Sequence, residues 1–178
     1  MTMKRILVLA ILAVLISFSG CASLKPFESV DNIPDGQGLV YFYSELSKKM
    51  VSMYVTSDET LFGKYTGGFA FILKAQKRPG TYFLTKDKVV APYFLPPGKK
   101  TFLAYYMFTT RLFNIETTYT GESYVEVDVK AGETQYYRVR LSKKPLFKPV
   151  FEIIKEEAEV AKPYLQDCKF AFTNTPKE

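Results

Sequence analysis

Two stretches of strict alternation constrain this chain more than any other feature. Over Ser123 to Val129, the residues Val125, Val127 and Val129 fall on one face and Tyr124, Glu126 and Asp128 on the other. Over Gln135 to Leu141, Tyr137, Val139 and Leu141 alternate with Tyr136, Arg138 and Arg140. A repeat of two marks a strand with one buried face, and such a face needs a second layer to cover it. The link Lys130-Ala131-Gly132-Glu133-Thr134 predicts a hairpin whose register follows the pattern. That register sets Val127 opposite Tyr137, Glu126 opposite Arg138 and Tyr124 opposite Arg140. Arg138 and Arg140 are then satisfied by cross-strand neighbours rather than left open to an anion.

Further β-rich runs precede this pair: Leu39 to Tyr43, Met50 to Thr56, Phe69 to Leu73, Thr81 to Leu84, Tyr93 to Leu95 and Thr101 to Phe108. Pro96-Pro97-Gly98 removes ladder donors and must be a turn or an edge. Near the end the period changes. Ile154, Ala158, Ala161 and Leu165 are spaced as one stripe of a helix, with Pro163 predicting a kink or break. The expected fold is mainly β: an antiparallel β-sandwich with one C-terminal α-helix, preceded by a signal helix. With 178 residues, one domain is expected.

The N-terminus sets the compartment. Lys4 and Arg5 precede 13 apolar residues, Ile6 to Phe18, and then Ser19-Gly20-Cys21. This is a secretory signal layout, too short to span a bilayer, which takes about 20 apolar residues. Phe18-Ser19-Gly20-Cys21 is similar to a bacterial lipobox, which implies cleavage between Gly20 and Cys21 and lipidation, palmitate included, of Cys21. Ala22 after the cysteine implies the outer membrane. The expected organisation is a signal peptide over 1–20, a tether over 21–37, and a single domain over 38–178. Lys4 and Arg5 leave with the signal, so 22 cations face 18 acids and the net charge falls from +6 to +4. That mild balance needs no nucleic-acid partner. With Cys21 acylated, Cys168 is a lone thiol, read as a small buried hydrophobe.

The order of three segments resembles a family. Gly38-Leu-Val-Tyr-Phe-Tyr43, then Phe94-Leu-Pro-Pro-Gly-Lys-Lys-Thr-Phe102, then Val127-Asp-Val-Lys-Ala-Gly-Glu-Thr-Gln-Tyr-Tyr-Arg-Val139 are similar to the small bacterial lipoproteins grouped as domain-of-unknown-function family 2846. The resemblance covers most of residues 38–168 and implies a small envelope β-sandwich. It implies no activity and no catalytic residues.

Chemistry is constrained by composition. The chain has no histidine, which excludes Ser–His–Asp and Cys–His catalysis and any His-ligated metal. Two cysteines alone build no zinc site, so neither a metal nor a cofactor is expected. The carboxylates Asp58, Glu59, Glu116, Glu122, Glu126 and Asp128 are the candidates for a hydrolase run on paired acids, the weakest of three functional readings. The basic pairs Lys99-Lys100 and Lys143-Lys144 read as edge protection. Aromatics make up 16% of the chain, with 15 Phe and 13 Tyr. Tyr105, Tyr106, Tyr136, Arg138 and Arg140 are the candidate binding surface, because an outward tyrosine stacks on sugars or meets a protein partner. The leading expectation is a lipid-anchored, non-catalytic envelope protein, held to the membrane through Cys21, with a structural role or a protein partner. The alternative is a binding module for an envelope glycan or an apolar ligand.

Overall fold

In a computed structural model, residues 25–28, 32–46, 51–62, 78, 80–84, 87–112, 115–142 and 150–173 are described. The expected signal helix, Gly20 and Cys21, the run Phe69 to Leu73 and the pair Lys143-Lys144 lie outside these residues. The aromatic and β-branched runs form β1 (Gly38–Leu46), β2 (Val51–Thr56), β3 (Thr81–Phe83), β4 (Val89–Leu95), β5 (Gly98–Leu112), β6 (Ile115–Val129), β7 (Thr134–Ser142) and β8 (Val150–Glu156). Helix α1 (Ala158–Leu165) and the short β9 (Lys169–Phe170) and β10 (Phe172–Thr173) follow. Among the described residues the strands make two five-stranded sheets, β8-β7-β1-β4-β9 and β10-β3-β2-β5-β6. No described helix is long and apolar enough to cross a membrane.

The two sheets share one core. Val40 and Phe42 of β1, Tyr93 of β4, and Tyr137 and Val139 of β7 meet Met53, Val55, Phe102, Ala104, Val127 and Val129 from the second sheet. The Phe42 ring lies 4.7 Å from that of Phe102 and 5.3 Å from that of Tyr137. The mainly β, two-sheet fold with one helix is therefore as expected. Its pairing is not wholly antiparallel: β1 runs parallel to β7, and β4 parallel to β9.

The expected β6–β7 hairpin is replaced by a corner between sheets. β6 pairs with β5 and β7 with β1 and β8, so Glu126 sits opposite Thr101 and Arg138 between Tyr43 and Ile154. The valines of β6 and Tyr137 and Val139 of β7 do enter one core, from opposite sides. Gly132 turns the corner at a φ of 73°, a region glycine enters without a side-chain clash. Gly38 lies so close that an added Cβ would stand 2.4 Å from the Lys130 carbonyl oxygen. The Gln135 amide closes the corner by donating to the Asp128 carbonyl at 2.6 Å.

The first sheet is covered on its other face too. Leu39, Tyr41, Tyr43, Val90 and Tyr136 pack against Ala161, Leu165 and Cys168, with Phe27, Ile33 and Tyr164 beside them. Of the expected helical stripe, Ala158, Ala161 and Leu165 lie in α1, but Ile154 belongs to β8. The β-branched run around it favours a strand. Pro163 stands inside α1, and the helix ends two residues later. Leu165 is 2% exposed, so Leu165→Ala is expected to cost about 2–4 kcal/mol. Urea unfolding checks this, and a loss under about 0.5 kcal/mol, typical of surface sites, would show that α1 is not part of the core.

The tether expected over 21–37 is corrected where it is described. Pro26 bridges to Lys169, Phe27 N–H donates to the Cys168 carbonyl at 2.9 Å, and Phe170 N–H donates to that of Lys25 at 2.9 Å. The Phe27 ring meets Tyr41 and Phe170 at 5.4 and 5.3 Å. Phe27 and Ile33 carry enough apolar surface to be drawn onto the sheet rather than left in water.

Candidate functional site

On the outer face of the first sheet, Tyr43 and Glu45 of β1, Arg138 and Arg140 of β7, and Glu152 and Glu156 of β8 are brought together by register. Arg138 reaches Glu156 Oε1 with Nη2 at 2.5 Å and Glu45 Oε2 with Nη1 at 3.0 Å. Tyr43 donates its hydroxyl hydrogen to Glu156 Oε2. Arg140 Nη2 lies 2.7 Å from Glu152 Oε2. Glu156, with its side chain 8% exposed, is thus clamped between a cation and a phenol, as a buried carboxylate must be. Burial first, then the hydrogen bond to Glu156 and its negative charge, push the Tyr43 hydroxyl far above the ordinary tyrosine range.

Arg138 and Arg140 are ion-paired within the sheet, to Glu45, Glu156 and Glu152 rather than to the expected Glu126 and Tyr124, and among the described residues Arg138 Nε is buried without a hydrogen-bond partner. Glu126 instead pairs with Lys99 at 3.0 Å. The aromatic part of the candidate surface is corrected: Tyr105, Tyr106 and Tyr136 are 1%, 7% and 7% exposed. Tyr105 and Tyr106 lie in the second sheet and Tyr136 in the first. The five candidates therefore form no single surface.

What does open to solvent is a groove of about 580 Å³ beside the β6–β7 corner. Glu126 and Asp128 of β6, Glu133 of the corner, and Glu156 and Glu157 at the end of β8 line it with Lys130 and Lys155; Glu126, Glu133 and Glu156 are paired with Lys99, Lys130 and Arg138, with Asp128 and Glu157 outside these pairs. Gln135, Tyr136 and Tyr137 form its wall. Lys130 stands 3.7 Å from Glu133, and Glu157, which precedes α1, caps no helix N–H with its side chain. The groove can hold a cationic or hydrogen-bond-donating group. Among the described residues, no three acids or cysteines are placed to hold a metal ion.

Of the acids singled out for paired-carboxylate chemistry, only Glu126 and Asp128 enter the groove. Asp58 accepts hydrogen bonds from Thr60 N–H at 2.9 Å and Thr60 Oγ1 at 2.6 Å, and caps a short 3-10 turn over Glu59–Leu61. Glu122 lies exposed on β6, and the side chain of Glu116 is outside the described set. Sequence reasoning missed Glu133, Lys155, Glu156 and Glu157. The one available signal was that Glu156 and Glu157 stand where β8 gives way to α1, which also suits a helix dipole.

Cys168 is buried, and its thiol is pushed up to about 12, chiefly by burial. Its Sγ lies 3.5 Å from the Tyr164 carbonyl, so it behaves as an inert packing group. Comparison with known proteins finds no family model that matches the chain, and no matching curated protein or solved structure. The likeness to family 2846 accordingly has only its sequence motifs behind it.

Proposed function

We propose that this chain is a lipid-anchored, non-catalytic protein of the bacterial envelope with a protein-binding role, attached through Cys21 to the outer membrane and facing the periplasm. The anchor rests on the signal layout before Cys21. The binding role rests on the groove, an open polar trough in which Asp128 and Glu157 stand outside the ion pairs that engage Glu126, Glu133 and Glu156. An apolar ligand placed there would strand those charges without solvent or partners. A basic, hydrogen-bonding segment of a protein partner would offset them.

Two measurements test this reading. Cys21→Ser should abolish incorporation of labelled palmitate and release the protein from the membrane fraction; a variant still labelled and still membrane-bound defeats the anchor. A photo-crosslinking residue placed at Glu157 should give one discrete protein adduct in intact cells, lost when Asp128→Lys reverses charge in the groove. The same probe at Val160, 59% exposed outside the groove lining, should give none. Matching adducts from both positions defeat the binding role.

A further inference from the structure

We infer that the β9 edge of the sandwich faces the bilayer and that the acidic groove is held on the far side, turned to the aqueous phase. The inference rests on the lipid anchor at Cys21. Only Ala22, Ser23 and Leu24 separate that cysteine from Lys25, and Lys25 is fixed to the fold by its hydrogen bond from Phe170 N–H. Four residue steps, fully extended, reach about 14 Å. A cysteine whose acyl chains lie in the membrane therefore holds Lys25 within about 14 Å of the headgroups, with Pro26 one residue further along and Lys169 bridged to Pro26.

The topology decides what sits opposite. β9 is one edge of the first sheet, and β8 is the other, with β4, β1 and β7 between them. At about 4.8 Å per strand, β7 and β8 stand roughly 14–19 Å from the anchored edge. The second sheet is laid out alike, with β10, next in sequence to β9, at one edge and β6 at the other. The groove is lined chiefly from β6, β7, β8 and the corner between β6 and β7, so both sheets place it on the side remote from β9 and Lys25. A partner of the groove then approaches from the aqueous side and need not touch lipid. The docked segment makes this orientation a property of the fold, which a free tether over 21–37 would have averaged away.

The chain contains no tryptophan, so a single introduced one reports alone. Acylated full-length Lys169→Trp and Lys155→Trp proteins would be reconstituted in vesicles of phosphatidylethanolamine and phosphatidylglycerol carrying a headgroup spin label. Lys169→Trp should be quenched several-fold more than Lys155→Trp. Lys25→Trp repeats the test at the same edge if the first variant folds poorly. A flexible insertion of about twelve residues between Leu24 and Lys25, reaching roughly 20 Å, should erase the difference. Equal quenching at the two edges of vesicle-bound protein overturns the orientation and leaves the anchor standing. A wild-type protein that does not float with vesicles overturns both.

Discussion

Raising the pH above about 10 is expected to destabilise the domain steeply. Tyr43, Tyr82, Tyr93, Tyr106, Tyr136, Tyr137 and Tyr164 all hold their protons more tightly than an ordinary tyrosine, in each case chiefly because burial opposes the phenolate. Negative charge on Glu156 adds to this at Tyr43, and Asp87 at Tyr164. A raised native value means that the unfolded chain releases its protons first. The stabilisation is whole below the unfolded value near 10 and is lost as pH rises toward the native one. Tyr93 is held well above the ordinary range by burial, with its single hydroxyl hydrogen within reach of the carbonyls of Val55 at 2.7 Å and Gly80 at 2.9 Å. Each proton that only the unfolded chain releases lowers stability by at most about 1.4 kcal/mol per pH unit, against a total of roughly 5–15 kcal/mol for an ordinary domain. Urea midpoints at successive pH values, with tyrosinate absorbance followed in parallel, check this. The midpoint should fall, and absorbance should rise together with unfolding. A flat midpoint with tyrosines titrating freely in the folded state would refute it.

Phe42→Ala is expected to cost about 3–5 kcal/mol, the largest effect of any single truncation proposed here. Phe42 is fully buried and joins the layers: its ring meets Phe102 across the core, Tyr137 on the next strand, and Tyr93 at 5.8 Å. Removal leaves a void bordered by three rings that cannot all collapse into it. Chemical denaturation measures the loss, with Val160→Ala, at an exposed position, expected within about 0.5 kcal/mol of wild type. Equal midpoints for the two variants would show that the sheets are not held by this contact.

The alternation in β6 and β7 correctly identified strands and inward faces, because period two is a local property. The partner strand is not local. A link with Gly132 at positive φ serves a hairpin and a corner equally well. The second faces do not separate the two cases either: Tyr124, Glu126 and Asp128 on β6 resemble Tyr136, Arg138 and Arg140 on β7, each one aromatic and two charged residues. The groove was harder to see. Its acids come from 126–133 and 156–157, each reasonable as a solvated strand face or helix start, and only the corner brings them together. Arg138 was rightly expected to be occupied, but Glu45 lies 93 residues earlier, and no spacing rule reaches that far.

The parallel pairing of β1 with β7 also governs when the protein can acquire its shape. Leu39 finds its partner at Thr134, and the bridge from Pro26 waits for Lys169. A chain emerging from its N-terminus can close the local β5–β6 ladder early, yet its first strand stays without one neighbour until most of the polypeptide exists. Such long-range closure slows folding. The segment Lys25 to Phe27 is among the first parts synthesised and among the last able to dock, since its partners Cys168, Lys169 and Phe170 come near the end of the chain.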